Sequence, residues 1–245
     1  MAAPGNPDPR RTRLPELVIF DCDGVLVDSE GISGEVLARA LTAAGLPTSP
    51  AEALHGYKGL LMAEVIERAQ ARLGAALPGE FADAFERDRT VEFHHRLQPV
   101  PGADEAVRSL RAAGVKACVA SQGKLEKTDL TLTLTGLREL FAENELFSAY
   151  MVAHGKPHPD LFLHAAAAMR ASPDRCVVVE DTAIGVRAAR SAGMRAFGYI
   201  ADSDEETLRQ AGAEVLRSLA ALPEQIGLPP AIRDHPYHGA RRRAV

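Results

Sequence analysis

From residue 103 onward the chain alternates between two kinds of segment, and that alternation leaves few folds open. Patterns with apolar residues at helical spacing run over 103–113, 124–134, 159–170, 184–192 and 205–211. Between them stand short apolar runs at 115–120, 146–152, 176–179 and 195–200, and 213–216 reads as a further strand at an edge. Short branched or aromatic runs bounded by turn residues read as strands, and a 3.6-residue period reads as helix. Strictly alternating strands and helices imply parallel strands with helices on both faces. The strands are nearly continuous in apolar character, as burial on both faces requires. One more such run, Leu17–Phe20, stands alone near the start of the chain. The predicted class is α/β.

Residues 31–97 break the alternation. Ile32, Val36, Leu37, Ala40 and Leu41 fall at helical spacing, Pro50 suits the first turn of a second helix, and 62–73 and 81–97 are amphipathic. The stretch His55-Gly56-Tyr57-Lys58-Gly59-Leu60 reads as a loop, because two glycines flank Tyr and Lys. A linker with two prolines and a glycine follows at 98–102. The expected division is an α/β core over 14–30 and 98–228, an inserted all-helical domain over 31–97, and tails at 1–13 and 229–245. An insertion placed just after the first strand sits over the carboxyl end of the sheet, where it can act as a lid.

The first strand runs into Asp21-Cys22-Asp23-Gly24. Side chains at i and i+2 of an extended segment point the same way. Asp21 and Asp23 therefore face one small volume beyond the strand, where open α/β sheets bind ligands. Two carboxylates so close call for a cation or a shared proton, and hard cations such as Mg2+ take oxygen ligands of this kind. The plain alternative is an acidic turn that caps a strand.

Three other strand ends are also polar. Residues 115–120 lead into Ser121-Gln122-Gly123, whose hydroxyl and backbone N–H groups suit an anion near a helix start; Ser121 suits an N-cap equally well. Gly155-Lys156-Pro157-His158-Pro159-Asp160 presents a lysine from a stiff loop, fit for phosphate or for holding carboxylates ionised. His158, between prolines, reads as a surface or packing residue. Residues 176–179 end in Glu180-Asp181-Thr182, where the acids can complete an oxygen site and Asp181 or Thr182 can cap a helix. Taken together, acid, hydroxyl, amine and acid fall at the same end of successive strands.

Composition narrows the partners. The net charge is −5, against a general nucleic-acid binder. No run approaches the roughly 18 apolar residues of a membrane helix, and residues 1–13 lack the apolar stretch of a signal peptide. The arginines at 241–243 read as part of a solvated terminus. Cys22, Cys118 and Cys176 match no zinc spacing and read as buried small hydrophobes of a cytoplasmic protein.

These residues resemble the haloacid dehalogenase superfamily. The resemblance rests on Asp21-x-Asp23-Gly24-Val25-x-Val27-Asp28-Ser29-Glu30, Ser121, Gly155-Lys156-Pro157-x-Pro159-Asp160 and Glu180-Asp181-x-x-x-Gly185 with Ala192-Gly193-Met194. It spans about 17–200 and is greatest with the small-helical-cap branch of sugar-phosphate phosphatases, β-phosphoglucomutases and phosphoglycolate phosphatases. It implies a Rossmann-like core with a cap at 31–97, and a phosphatase acting on a small phosphorylated metabolite such as a sugar or sugar-acid phosphate. Asp21 would be the nucleophile that forms an aspartyl-phosphate, and Asp23 the acid and then the base. Mg2+ would be held by Asp21, the Asp23 backbone carbonyl, Asp181 and Glu180. Ser121, Gln122 and Lys156 would hold the phosphoryl group. A monomer or weak homodimer is expected, with no nucleic-acid or membrane partner.

Other activities of that superfamily fit less well. The mutases commonly carry His a few residues past the acidic cluster, where Ser33 stands, and Arg after the cap-loop glycine, where Leu60-Leu61-Met62 stand. Dehalogenases and phosphonate hydrolases lack the second aspartate, present here as Asp23. A non-catalytic phosphate-binding module would not need every catalytic position filled. In the cap loop, Lys58 is expected to meet an anionic group of the substrate, and His55 or Tyr57 a hydroxyl; a plain helix connector is the alternative.

Overall fold

The computed structural model describes residues 13–200 and 203–229. Except for Arg13 and Pro229, the tails expected at 1–13 and 229–245 lie outside the described residues.

Six strands form one parallel sheet in the order β3-β2-β1-β4-β5-β6. They are β1 (Leu17–Phe20), β2 (Lys116–Ser121), β3 (Leu146–Ser148), β4 (Cys176–Glu180), β5 (Arg195–Tyr199) and β6 (Glu214–Leu216). β1 lies at the centre, paired with β2 on one edge and β4 on the other. The chain winds outward from β1 through β2 to β3, then crosses to β4 and winds the other way. The reversal at β1 is the topological switch point where sheets of this kind open a crevice beyond their carboxyl ends.

The register decides what reaches that crevice. Phe20 pairs with Val119 on β2 and with Val179 on β4. Asp21 and Glu180 therefore emerge at one level, with Ser121 one residue further along β2. Below it the side chains alternate by face. Val18, Phe20, Val119, Val177 and Phe197 pack on one side with Val107 and Leu110 of α5 (Ala103–Ala112). Leu17, Ile19, Cys118, Ala120 and Val178 pack on the other with Leu161 and Phe162 of α7 (Asp160–Ala168) and Val186 of α8 (Ala183–Ser191). α6 (Leu125–Leu134), α9 (Glu205–Gln210) and α10 (Leu222–Gln225) complete the layers. Full burial of a Leu, Ile or Phe is worth about 1.5–3 kcal/mol. β1 has strands on both edges and side chains buried on both faces, as do β2 and β4 beside it.

Four helices separate β1 from α5: α1 (Glu30–Ala43), α2 (Pro50–Tyr57), α3 (Met62–Leu73) and α4 (Phe81–Arg96). Val36, Leu37, Leu41, Ala53, Val65, Phe81 and Phe85 form an apolar cluster of their own. α4 belongs to both bodies: Phe81 and Phe85 pack among the helices, whereas Phe93 packs in the sheet core. The outgoing and returning connections lie side by side. The Asp28 N–H donates to the Gln98 carbonyl at 2.9 Å and the Val100 N–H to that of Leu26 at 2.9 Å.

The loop expected at 55–60 begins later than the sequence suggests. α2 continues through His55, Gly56 and Tyr57. A capping box between Ser49 and Glu52, with Pro50 in the first turn, starts the helix firmly, and Arg68 donates to the Gly56 carbonyl. Of the two glycines only Gly59, at φ 76°, takes the left-handed turn.

Candidate active site

Asp21 and Asp23 leave β1 in a tight turn closed by the Gly24 N–H, which donates to the Val27 carbonyl at 2.9 Å. Gly24 sits at φ 71°, and a Cβ there would lie 2.1 Å from Asp181 Oδ2. Glycine thus serves twice, for the turn and for the close approach of β4's tip.

Lys156 joins the strands electrically. Its Nζ donates to Asp21 Oδ1 at 2.5 Å, to Glu180 Oε1 at 2.5 Å and to the Ala120 carbonyl at 3.1 Å. The lysine is 5 % exposed. Burial alone would pull its pKa down, but Asp21 and Glu180 outweigh this and push it up. Gln122 holds the lysine's backbone: its Oε1 accepts from the Lys156 N–H at 3.0 Å and its Nε2 donates to the Lys156 carbonyl at 3.2 Å.

Thr182 caps α8, accepting from the Gly185 N–H at 3.1 Å. Asp181 is thereby left for the cluster. Glu180 is fully buried, and its Oε2 accepts from the Asp181 and Thr182 N–H groups and from Thr182 Oγ1. A Cβ on Gly185 would lie 1.9 Å from Glu180 Oε1, so the bare helix turn makes room for this carboxylate.

Asp21, Glu180 and Asp181 each present a carboxylate oxygen, all within 4.8 Å of one another. Asp181 Oδ1 is buried with no hydrogen-bond partner. A buried acceptor left orphaned is costly, and an all-oxygen donor set of this size fits a hard divalent cation. The residues present thus suit such an ion. Without it, burial first and the neighbouring acids next raise Asp21 to about 8 against the pull of Lys156. Burial likewise lifts Asp181 to about 7, against Lys58.

Asp23 is treated differently. Its Oδ1 accepts from Lys127 Nζ and from Ser29 Oγ, the latter at 2.6 Å, whereas its Oδ2 has the Ser121 hydroxyl at 3.5 Å. Burial would raise it, but Lys127 and Ser29 prevail and hold it at about 2. The Ser121 hydroxyl is fully buried and accepts from the Gly123 N–H at 3.1 Å.

A cavity opens above these groups between the four helices and the sheet, lined among others by Asp21, Asp23, Tyr57, Lys58, Gln122 and Lys127. Ser33 lines it too. Lys58 Nζ lies 2.6 Å from Asp181 Oδ2 and donates to Ser203 Oγ at 3.1 Å. Tyr57 is buried, and its hydroxyl accepts from Arg72 Nη1 at 3.2 Å. His55 is not among the lining residues; it is exposed and its Nδ1 sits 2.7 Å from the Ala51 carbonyl of its own helix.

Sequence reasoning missed Lys127, Arg89 and Ser203. For Lys127 a signal existed. It stands in the first turn of α6, where the helix dipole slightly disfavours a cation, which is a weak signal.

The family model for haloacid dehalogenase-like hydrolases matches residues 15–193. The chain belongs to the haloacid dehalogenase-like hydrolases. Two Escherichia coli (strain K12) proteins are similar to this hydrolase. A 6-phosphogluconate phosphatase is 30 % identical over 210 residues, 85 % of this chain and 93 % of that protein. A hexitol phosphatase B is 31 % identical over 208 residues, 83 % and 92 % of the two chains. Among solved structures, a haloacid dehalogenase family hydrolase from Deinococcus radiodurans R1, with bound phosphate and sodium, superimposes with a TM-score of 0.72 at 33 % identity, covering 88 % of this chain and 98 % of its own. All six strands of this hydrolase are parallel, as the alternating sequence predicts.

Proposed function

We propose that this hydrolase is a phosphoric monoester hydrolase that removes the phosphoryl group from a small phosphorylated metabolite, a sugar or sugar-acid phosphate, with Mg2+ as its ion. The observation that carries this reading is the Lys156 ammonium bonded to both Asp21 and Glu180, in reach of the Asp181 and Asp23 turns. Nucleophile, phosphoryl-binding cation and oxygen cluster meet there at neighbouring strand tips. The relatives named as phosphatases support the class of reaction.

The steps follow from the side chains. An Asp21 carboxylate oxygen attacks phosphorus, and the bond from phosphorus to the ester oxygen breaks. Lys127 and Ser29 hold the resting Asp23 ionised, so Asp23 must first take up a proton from solvent as the ester binds, and it then gives that proton to the departing alkoxide. Of its two oxygens Oδ2 suits this, because Oδ1 is already held by Lys127 and Ser29. Asp23 then takes a proton from water as that water attacks the aspartyl-phosphate, and inorganic phosphate and free Asp21 result. Lys156 and the Ser121 hydroxyl stabilise the charge on the phosphoryl oxygens. Asp21, Glu180, Asp181 and the Asp23 carbonyl would hold Mg2+, which would neutralise charge between the phosphoryl group and Asp21. The four helices, read as a cap, exclude water from the phosphoryl group when closed over it.

The test is phosphate release with Mg2+ over a panel of sugar, sugar-acid and glycolytic phosphates, with β-glucose 1-phosphate included to detect mutase activity. Release from at least one ester is expected. It should fall by several orders of magnitude in Asp21→Asn, since a neutral amide is a poor nucleophile. Full turnover by Asp21→Asn would end the covalent mechanism.

A further inference from the structure

Four basic residues line the cavity, Lys58, Arg89, Lys124 and Lys127; Lys58 faces Asp181 and Lys127 faces Asp23, and of these Arg89 of α4 and Lys127 of α6 stand together beyond Asp23. One is carried by the inserted helices and the other by the core, and they meet at one aromatic ring. The Arg89 guanidinium carbon lies 5.6 Å from the centroid of Phe93, and Lys127 Nζ lies 6.0 Å from it. Arg89 also lies 4.8 Å from the Phe85 centroid. Two rings thus brace a planar cation against the cavity wall.

The donors of Arg89 are not all engaged. Its Nη2 donates to Glu86 Oε2 at 2.6 Å, but its Nε is buried with no hydrogen-bond partner. An arginine fork presents donors in a fixed plane that matches a carboxylate two-point fashion. The Nε is closed off from the cavity; the donor left to face it is Nη1, which makes no hydrogen bond among the described residues.

The position of these cations says which part of a substrate they face. Lys127 donates to Asp23. Under the reading above, Asp23 protonates the departing oxygen, so what lies past Asp23 is the leaving alcohol. On that side Lys127 and Arg89 both face the Phe93 ring, and only Lys127 is hydrogen-bonded to Asp23. Glu86 is engaged with Arg89, and Glu30 is the remaining acid of that wall.

We infer that Arg89, assisted by Lys127, binds a second anionic group at the far end of the leaving alcohol, so that the favoured substrates are phosphorylated sugar acids and not phosphorylated alditols or neutral sugars. This rests on the phosphatase reading and deepens it.

The test uses two six-carbon 6-phosphates that differ only at C1, an aldonic acid bearing a carboxylate and a hexitol bearing a CH2OH group. The wild-type enzyme should favour the acid by about tenfold or more in kcat/KM, as a site built for a polar group rejects the analogue that lacks it. In Arg89→Gln that ratio should fall toward one, through KM for the acid. Arg89→Lys should restore only part of it, because an ammonium keeps the charge but lacks the fork. Equal kcat/KM for both esters in the wild type, or a ratio unchanged in Arg89→Gln, overturns the subsite. Calorimetric binding of the aldonic acid phosphate to wild type and Arg89→Gln separates the two readings. If no ester is hydrolysed, the phosphatase reading fails, yet weaker binding by Arg89→Gln still supports the subsite and equal binding still overturns it.

Discussion

The ammonium of Lys58, at the end of α2, lies 2.6 Å from Oδ2 of Asp181, at the tip of β4. Both side chains are nearly buried, at 12 % and 2 % exposure. The inserted helices therefore place a positive charge directly on the oxygen cluster.

That contact sets Lys58 in competition with a divalent ion for the charge of Asp181. Lys58→Ala should bind Mg2+ about fivefold tighter or more in the absence of substrate, since an opposite charge beside a carboxylate is worth one or more pKa units. Isothermal titration with Mg2+ measures it. Its KM for the substrate should rise, because a cation facing the cavity is lost. An unchanged Mg2+ affinity would show that Lys58 leaves Asp181 without cost.

Gly24 and Gly74 make a matched pair. Both lie in the left-handed region, at φ 71° and 73°, but a Cβ on Gly24 would meet Asp181 Oδ2 whereas one on Gly74 meets nothing within 4 Å. Alanine at Gly74 should cost only the backbone strain, about 1–2 kcal/mol, with kcat unchanged. Alanine at Gly24 should cost at least as much in thermal unfolding and should also abolish most turnover, by displacing an oxygen of the cluster. Equal kcat for the two variants would count against Asp181 having a role in the reaction.

Acidic groups pushed upward give the metal-free protein a characteristic pH response. Burial raises Asp21 to about 8, and Asp181 and Glu30 to about 7. In the unfolded chain these groups titrate near 4. As the pH rises from about 4 to about 8 the unfolded chain gives up protons that the folded one keeps, so stability falls across that window. It is greatest below pH 4 for these groups and levels off above 8. The melting temperature in chelator should therefore drop between pH 5 and pH 8.5. Excess Mg2+ should reduce that drop, because a bound cation favours the ionised forms. Parallel curves with and without the ion would show that it does not bind among these carboxylates.

Gln122 acts through Lys156. Removing its amide leaves a backbone donor and acceptor without partners, which costs about 1–3 kcal/mol each when buried. Gln122→Ala should lower kcat by roughly tenfold or more and lower the melting temperature as well, and Gln122→Glu, which keeps the acceptor for the Lys156 N–H, should recover part of both. A loss of stability with no loss of kcat would assign Gln122 to structure alone.

Much of the core was readable because its signals are local and redundant. β1, β2, β4 and β5 are short apolar runs with turn residues beyond them; Asp21, Ser121 and the acids at 180 and 181 sit at the ends of β1, β2 and β4, and Lys156 sits on the loop between β3 and α7. The parallel pairing follows from the alternation, but the order β3-β2-β1-β4-β5-β6 does not, because alternation leaves open the side of β1 on which each strand is added. What the sequence hides is set by packing between distant segments. Lys127 approaches Asp23 across 104 positions of chain, and Arg89 reaches the same ring as Lys127 because Phe93 sits between an inserted helix and the sheet core. No spacing rule connects such residues. The end of α2 was obscured for another reason: Gly56 looks like a turn residue, but a well-capped helix carries it through.

The paired connections at 26–28 and 98–100 bear on how the helices can move. Because each strand of that ribbon is hydrogen-bonded to the other, the insert hangs from the core by one stiff double band instead of two separate strings. Rocking about that band would carry the Lys58 end of α2 toward or away from Asp181, whereas α4 stays anchored near its carboxyl end by Phe93 in the sheet core.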